Sequence, residues 1–420
     1  MMKKPLLTVV LTLSFLVPAG AAVAQSDPCN IDRDVKPKAL DEPTWKRLNS
    51  VYEEVGEENY QQAKEELEVM LRRVRKDEYL EAVLQQALAQ VQWALEDYDA
   101  ALSSFERAVE LDALPNETHF SLMYQIAQLY YMKARYRDAL GRLDIWFCKA
   151  PAERIKPDSY VLKGSIHAQL KEWDETIAAI DTAIGMSDDP KENWYQLKLA
   201  ANFEQDDYPA AAVTLDEILK RWNDKKTYWV QLSNVWFKLK EDEKALSVMV
   251  LAHRKGLLDS QGDYLYLSNL YSFRDVPLKA GTVLQEGLDK GIVESNEKHW
   301  TMTGDAWYAA EELENALVAF ERAGQAAEDG EMDLRRGYIL IDLERWETAR
   351  DALIAALQKG GMNERKTGEA LLMRGMAEFN MGNFDMADAT WVEAARYTQA
   401  RKAAQQWRNH LREERARKGP

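Results

Sequence analysis

The chain has 420 residues, of which 46% are hydrophobic and 30% are charged, with 20 glycines and 12 prolines. This composition excludes intrinsically disordered and collagen-like proteins. The 54 basic and 70 acidic residues leave a net charge of −16, which argues against nucleic acid as the main partner because like charges repel.

Residues 1–24 are typical of a cleaved secretory signal peptide. Lys3 and Lys4 precede an apolar run at 5–17, and small residues follow as far as Ala24, so cleavage is predicted between Ala24 and Gln25. The run is shorter than the roughly 20 residues that span a bilayer, and no later stretch is apolar enough to do so. The sequence therefore predicts export to a bacterial periplasm, with no integral membrane segment after cleavage.

Residues 25–42 contain prolines and charges without any period and are predicted to form an extended N-terminal segment. The two cysteines are Cys29 and Cys148. In an oxidising compartment they are expected to form a disulfide that pins this segment to the third repeat described below. A structural disulfide is favoured over a reactive thiol pair, because Trp146 and Phe147 place Cys148 at an apolar helix end.

Ten segments of the chain share a small residue that is followed four positions later by a large apolar residue. In seven of them an aromatic residue stands three positions before the small one, as in Tyr98, Ala101 and Phe105. These spacings place the side chains on one face of a helix. The small positions recur every 33 to 38 residues: Ala63, Ala101, Ala139, Thr176, Ala211, Ala245, Ala280, Ala316, Ala349 and Ala387.

A second pattern precedes each of these helices and is clearest at 229–236 and 300–307, which read W-x2-[LT]-[GS]-x2-W. With a period near 34 residues, the two patterns together resemble the tetratricopeptide repeat (TPR) family. The resemblance implies an all-α, right-handed α-solenoid of about ten TPR-like helix-turn-helix repeats over residues 43–398. Small residues where two helices face each other would let the helices approach closely. Four glycines occupy the family's glycine position: Gly164, Gly304, Gly337 and Gly375.

Residues 399–420 differ from the rest of the chain in charge. From 401 to 420 they carry seven basic and two acidic residues on an otherwise acidic protein. A polar helix that caps the end of a solenoid is favoured over a docking tail.

The common local signatures of acyl, phosphoryl, hydride and zinc chemistry are all missing from the sequence. The five histidines are scattered, and His167 is interpreted as a packing residue. No catalytic, cofactor-binding or metal-ligating residue is predicted, and the protein is expected not to be an enzyme.

Binding is the expected function, because a helical solenoid offers a long wall of first-helix residues that point away from the second helices. The alternative is that these residues are ordinary polar surface. The helical phase of the W-x2-L-G frame selects five candidates for a peptide-binding groove: Asn234, Phe237, Asn269, Asp305 and Tyr308.

Asn234 and Asn269 stand at matching places in consecutive repeats, which resembles TPR proteins that clamp the terminal carboxylate of a peptide. Those proteins also present lysine or arginine one turn earlier. Here that place is taken by Val230, Leu265 and Thr301, which argues against a carboxylate clamp. Asp305 would instead favour a basic or neutral peptide.

Residues 228–293 contain more specific sequence features. These are LSN tripeptides at Leu232 and Leu267, the KGLL turn at 255–258 and VPLKA at 276–280. With the N-terminal signal peptide and the closing KAAQQW, they resemble periplasmic TPR proteins associated with the TonB, ExbB and ExbD energy-transduction complex. The resemblance implies a scaffold, without cofactors, that helps such a complex serve outer-membrane receptors for iron chelates or other scarce nutrients. Its partners would be periplasmic domains of TonB or ExbD.

Two other functions stay open at this point. One is a general envelope scaffold for outer-membrane assembly or for peptidoglycan-associated enzymes, with the basic C-terminal residues as the discriminating feature. The other is an enzyme built on a solenoid, which would need a clustered acid, base or metal site that the sequence does not reveal.

Overall fold

The computed structural model describes residues 33–418, and these contain 21 α-helices, one short 3-10 helix and no β-strand. The predicted signal peptide at 1–24 and Cys29 lie outside the described residues. The all-α class and the solenoid of TPR-like helix pairs are therefore confirmed. The described residues divide into two compact units, of which the first ends at Ala201 and the second begins at Asn202.

The first unit consists of consecutive helix pairs in which each helix packs on the next one along the chain. The short turns between paired helices make them antiparallel. A 3-10 helix, Ala152–Arg154, separates the third pair from the fourth. The helices are α1 (Glu42–Gly56), α2 (Tyr60–Leu71), α3 (Glu78–Ala94), α4 (Tyr98–Glu110), α5 (Asn116–Met132), α6 (Tyr136–Lys149), α7 (Pro157–Gln169) and α8 (Trp173–Gly185).

Helix α9 (Glu192–Glu204) contains the boundary between the two units, and the second unit continues with the same helix pairs and one last unpaired helix. Its helices are α10 (Tyr208–Arg221), α11 (Lys226–Lys238), α12 (Asp242–Arg254), α13 (Gln261–Phe273), α14 (Pro277–Asp289), α15 (Glu297–Ala309), α16 (Leu313–Ala326), α17 (Glu331–Asp342), α18 (Trp346–Lys359), α19 (Glu364–Asn380), α20 (Phe384–Ala394) and α21 (Arg401–Lys418).

The small residues of the repeat lie where the two helices of a pair meet. All ten predicted small positions are fully buried. At the glycine position of the first helix the space is equally tight, because a Cβ atom added to Gly304 would lie 2.6 Å from Cε1 of Phe320. Gly337 faces Leu353 in the same way. The predicted close approach of paired helices is confirmed, and it leaves no room for larger side chains.

The turn inside each helix pair contains one residue in the left-handed conformation. In the α3–α4 turn, Glu96 has φ of 60°, its N–H donates to the carbonyl of Trp93, and the N–H of Asp97 donates to that of Gln92. This is the hydrogen-bond pattern of a Schellman helix end. Ten turns share the left-handed residue: Glu58, Glu96, Ala134, Lys171, Asp206, Lys240, Asp275, Glu311, Glu344 and Gly382.

The N-terminal segment at 33–41 has no regular secondary structure and is anchored by Arg33. The Arg33 side chain is only 5% exposed, and its Nε lies 2.7 Å from Oδ1 of Asp112 in the loop between α4 and α5. Its Nη1 donates to Oδ1 of Asn116 at 2.6 Å. Helix α1 begins at Glu42, one residue before the predicted start of the solenoid, with Asp41 as the N-cap.

The last helix, α21, packs on α19 and α20. The indole of Trp407 stacks on that of Trp391 with ring centroids 5.5 Å apart, and Leu411 is buried beside them. Arg408 Nε lies 2.7 Å from Oδ1 of Asp388. These contacts cover the apolar end of the last helix pair.

Candidate functional site

The predicted binding residues lie on three consecutive first helices of the second unit, α11, α13 and α15. Asn234, Asn269 and Asp305 each directly follow the small residue that packs into the helix pair. Where that residue is serine, its hydroxyl donates to the opposite helix, as Ser233 does to the carbonyl of Ala245 at 2.8 Å. Because the small residue points inward, the next side chain points outward, and all three candidates are exposed.

Aromatic side chains accompany these polar residues. Phe237 is 42% exposed and Tyr308 is 51% exposed. Phe273, which was not predicted from the sequence, is 63% exposed, and its ring lies edge-on to that of Phe237 with centroids 5.7 Å apart. We call the six residues Asn234, Phe237, Asn269, Phe273, Asp305 and Tyr308 the α11–α15 face.

A pocket of about 340 Å³ lies at the α15 end of this face. Asp305 forms an ion pair there with Arg335 of α17, and the Arg335 guanidinium lies 5.5 Å from the centroid of the Phe320 ring. The pocket therefore presents a neutralised ion pair rather than a free carboxylate. Its lining residues are Asp305, Tyr308, Phe320, Arg335, Tyr338 and Ile339.

Tyr338 forms the far side of the pocket. Its hydroxyl donates to Oε2 of Glu369 at 3.0 Å, and Nη1 of Arg365 lies 2.7 Å from Oε1 of the same carboxylate. Burial, together with Glu369, raises the pKa of Tyr338 well above its ordinary value. The phenol therefore stays protonated and serves as a hydrogen-bonding group, not as a base.

The positions one turn before the asparagines carry no cation. Val230, Leu265 and Thr301 are all half-buried there, and the Thr301 hydroxyl contacts Sδ of Met332 at 3.3 Å. A terminal carboxylate placed between Asn234 and Asn269 would thus meet amide groups without a neighbouring lysine or arginine from these positions.

Matching positions on the first helices of the first unit also carry amide and aromatic side chains, although no site was predicted there from the sequence. Gln90 of α3 and Gln128 of α5 follow buried alanines, and neither amide bonds to a described residue. Trp93 and Tyr131, three positions further on, are half-buried at the places that match Phe237 and Tyr308. Extending the W-x2-L-G frame through every repeat would have found them.

The described residues show no arrangement that indicates catalysis. No group of three or more histidine, cysteine or acidic side chains among residues 33–418 could hold a metal ion. The buried His167 uses Nδ1 to contact Oε2 of Glu172 at 2.8 Å in its own hairpin turn. Cys148 lies near the end of α6, and because Cys29 is outside the described residues, their pairing stays a prediction.

No helix within residues 33–418 combines the length and the apolar character that crossing a bilayer requires.

Residues 82–113, which cover most of α3 and all of α4, match the tetratricopeptide repeat profile. The other helix pairs carry the same buried small residues and the same turns. The helix pair α3–α4 is thus similar to the tetratricopeptide repeat. No curated protein sequence matches it.

Solved TPR structures are similar to this chain at low sequence identity. A tetratricopeptide repeat protein from Parabacteroides merdae is 14% identical, with 68% of this chain and 94% of that chain covered and a TM-score of 0.36. MamA from Desulfovibrio magneticus is 19% identical over 45% and 99% of the two chains, with a TM-score of 0.37. YrrB, a TPR protein with an unusual peptide-binding site, is 17% identical over 47% and 100%, with a TM-score of 0.35.

Proposed function

We propose that this TPR protein is a non-enzymatic scaffold whose α11–α15 face holds an extended peptide segment of a partner protein. The observation that carries the proposal is the repetition of an exposed amide and an exposed aromatic ring on consecutive first helices. An amide can both donate to and accept from a peptide backbone, and exposed aromatic rings bury much apolar area on contact. This combination serves an extended chain better than it serves a small polar substrate.

We further propose that the protein acts in the periplasm as an accessory component of a TonB-dependent energy-transduction system for nutrient or iron uptake. The assignment is supported by residues 1–24, which resemble a signal peptide, and by the tripeptide and turn motifs of residues 228–293. The net charge of −16 supports it as well, since an acidic scaffold attracts the lysine- and proline-rich segments typical of such energy transducers. Association should accordingly slow as salt is added.

The test measures binding of the mature chain to purified periplasmic domains of TonB and ExbD by titration calorimetry. The double variant Asn234→Ala/Asn269→Ala should weaken binding by about tenfold, because two hydrogen bonds to the peptide are lost. The matched control is Asn49→Ala/Asn409→Ala, which removes two exposed helical asparagines outside the face.

Equal weakening in both double variants would contradict a role for the α11–α15 face. The absence of any complex at low salt would exclude the TonB and ExbD assignment while leaving the scaffold proposal open to other partners.

A general envelope scaffold is the second candidate, and the basic residues of α21 favour it. Arg408 and Arg415 pair with α20, whereas Lys402 is exposed and forms no ion pair with a described residue. Sedimentation with purified peptidoglycan sacculi tests this function. A variant with Lys402→Gln, Arg412→Gln and Arg417→Gln keeps both pairs to α20, and loss of sedimentation in that variant would support the envelope function.

A further inference from the structure

The loop between α2 and α3 concentrates positive charge on this acidic chain. It contains four cationic side chains within five residues, and all four are exposed. None of them forms an ion pair or a side-chain hydrogen bond with any residue between 33 and 418. The four residues are Arg72, Arg73, Arg75 and Lys76.

The N-terminal segment brings more positive charge to the same place. Lys38 is exposed, and its ammonium group lies 5.8 Å from the centroid of the Tyr79 ring in the first turn of α3. We call the five cations Lys38, Arg72, Arg73, Arg75 and Lys76 the basic edge.

A pocket of about 260 Å³ opens beside the basic edge. Met70, Val74, Leu80 and Leu84 line it with apolar groups, and Arg73 is a cation among its lining residues. A second lining arginine, Arg47, already binds Glu66, with Nε 3.1 Å from Oε2. Arg73 is thus the cation that is available to a ligand in this pocket.

We propose that the basic edge docks on a membrane surface and binds an anionic phospholipid, with the headgroup phosphate on Arg73 and the adjoining apolar part of the lipid in the pocket. Arginine binds phosphate through two parallel hydrogen bonds, and clustered basic side chains attract anionic lipid surfaces. On a chain with a net charge of −16, this edge is a place where such a surface can approach, and binding there would orient the protein.

The pocket favours a lipid over an acidic peptide. A site that binds an extended peptide must offer hydrogen-bond donors and acceptors to the peptide backbone, as a sheet edge does when a peptide adds to it as a strand. The hydroxyl in the lining, that of Thr44, already donates to Oδ2 of Asp41 at 3.0 Å. The remaining lining between Met70 and Leu84 is apolar apart from Arg73.

The first experiment measures co-sedimentation of the full mature chain with vesicles of phosphatidylglycerol and, separately, of phosphatidylcholine. Binding is expected to phosphatidylglycerol alone and to weaken with salt. The variant R72Q/R73Q/R75Q/K76Q should bind more than about tenfold less. The control variant R221Q/K279Q/K298Q/K402Q removes the same charge from exposed sites elsewhere and should bind like the original chain.

The second experiment separates the pocket from the general charge. Arg73→Gln should lower the affinity for soluble dihexanoylphosphatidylglycerol, measured by calorimetry, whereas Arg75→Gln should leave it unchanged because Arg75 does not line the pocket. Circular dichroism confirms that both variants are folded.

Three results would overturn the proposal. They are no binding to phosphatidylglycerol vesicles at low salt, equal loss in the control variant, and tighter binding of a glutamate- and leucine-containing peptide than of the soluble lipid. The last result would reassign the pocket to an acidic protein partner.

Discussion

At the scale of single residues, the inside of each helix pair leaves no spare volume. Ala245 is fully buried, and its carbonyl accepts a hydrogen bond from Ser233. Ala245→Leu should lower the free energy of unfolding by about 1–3 kcal/mol, because the added carbons force side chains or backbone to move. Urea denaturation followed by circular dichroism measures the change.

Ala389→Leu is the control for Ala245→Leu, since Ala389 is exposed in α20. Its effect should stay within about 0.5 kcal/mol. An unfolding midpoint that is unchanged by Ala245→Leu would contradict the packing described here.

His119 makes the stability of the first unit depend on pH. Burial and, to a smaller extent, the nearby Arg33 lower the pKa of His119 to about 4, although Asp112 opposes the shift. Below pH 6.5 the unfolded chain binds a proton that the folded chain does not, so stability falls as pH falls from 6.5 towards 4.

The variant His119→Gln isolates this effect. Between pH 6.5 and pH 5, the original chain should lose about 2 kcal/mol more stability than the variant. Urea denaturation at the two pH values measures the difference, and parallel losses in both chains would show that His119 is not responsible.

Residue patterns predicted the burial of the ten small positions but not the partner of Asp305. A small residue repeated at helical spacing indicates the contact between paired helices, because that contact is local in sequence. Arg335 lies 30 residues after Asp305, and only the stacking of successive helix pairs brings the two charges together. The exposed carboxylate expected from the sequence is therefore part of an ion pair.

At the scale of helices and turns, most of the hairpin turns carry a strained residue. Lys171 has φ of 59° in the turn between α7 and α8, its side chain is exposed, and glycine adopts this conformation without a Cβ clash. Lys171→Gly should raise the free energy of unfolding by about 0.5–1 kcal/mol, because relief of the clash exceeds the added entropy of the unfolded chain.

The matched control is Ala178→Gly in the middle of α8, where the residue is exposed and helical. It should lower stability by about 1 kcal/mol, since glycine is a poor helix former. Thermal unfolding of both variants gives the comparison, and the same sign of change in both would contradict the role of the left-handed turn.

These turns could not be read from the sequence as helix ends. Glycine marks the left-handed position in only one of the ten turns, Gly382, while nine turns use other residues. The hydrogen bonds of the helix end and the packing of the paired helices hold those nine in place. The starts of the second helices are easier to recognise, because a proline such as Pro277 suits the first position of a helix, and Pro277 stands at that position in α14.

At the scale of the whole molecule, stability is assembled from contacts between neighbouring helices within each unit. Helix α21 covers the last pair through Leu411, which is buried, and through Trp407. Leu411→Ala should cost about 2–5 kcal/mol for the contacts it removes. Because each helix pair contacts only its neighbours in a stack, the loss of stability should be confined to α19 and α20.

Hydrogen exchange measured by mass spectrometry tests this locality. Amide protection should fall in α19 and α20 and stay unchanged in α11 and α12, which do not touch α21. A uniform loss of protection across the second unit would show that it unfolds as one cooperative body instead.

The sequence by itself determined the helical class, the number and period of the helix pairs, and which small residues they bury. These properties depend on contacts between residues close together in the chain, and such contacts repeat with the sequence. Only the tertiary structure decided that Arg335 neutralises Asp305, that Phe273 joins Phe237 on the α11–α15 face, and that Arg73 lies beside an apolar pocket. Each of these contacts joins neighbouring helices, and its geometry follows from how those helices pack rather than from any local pattern.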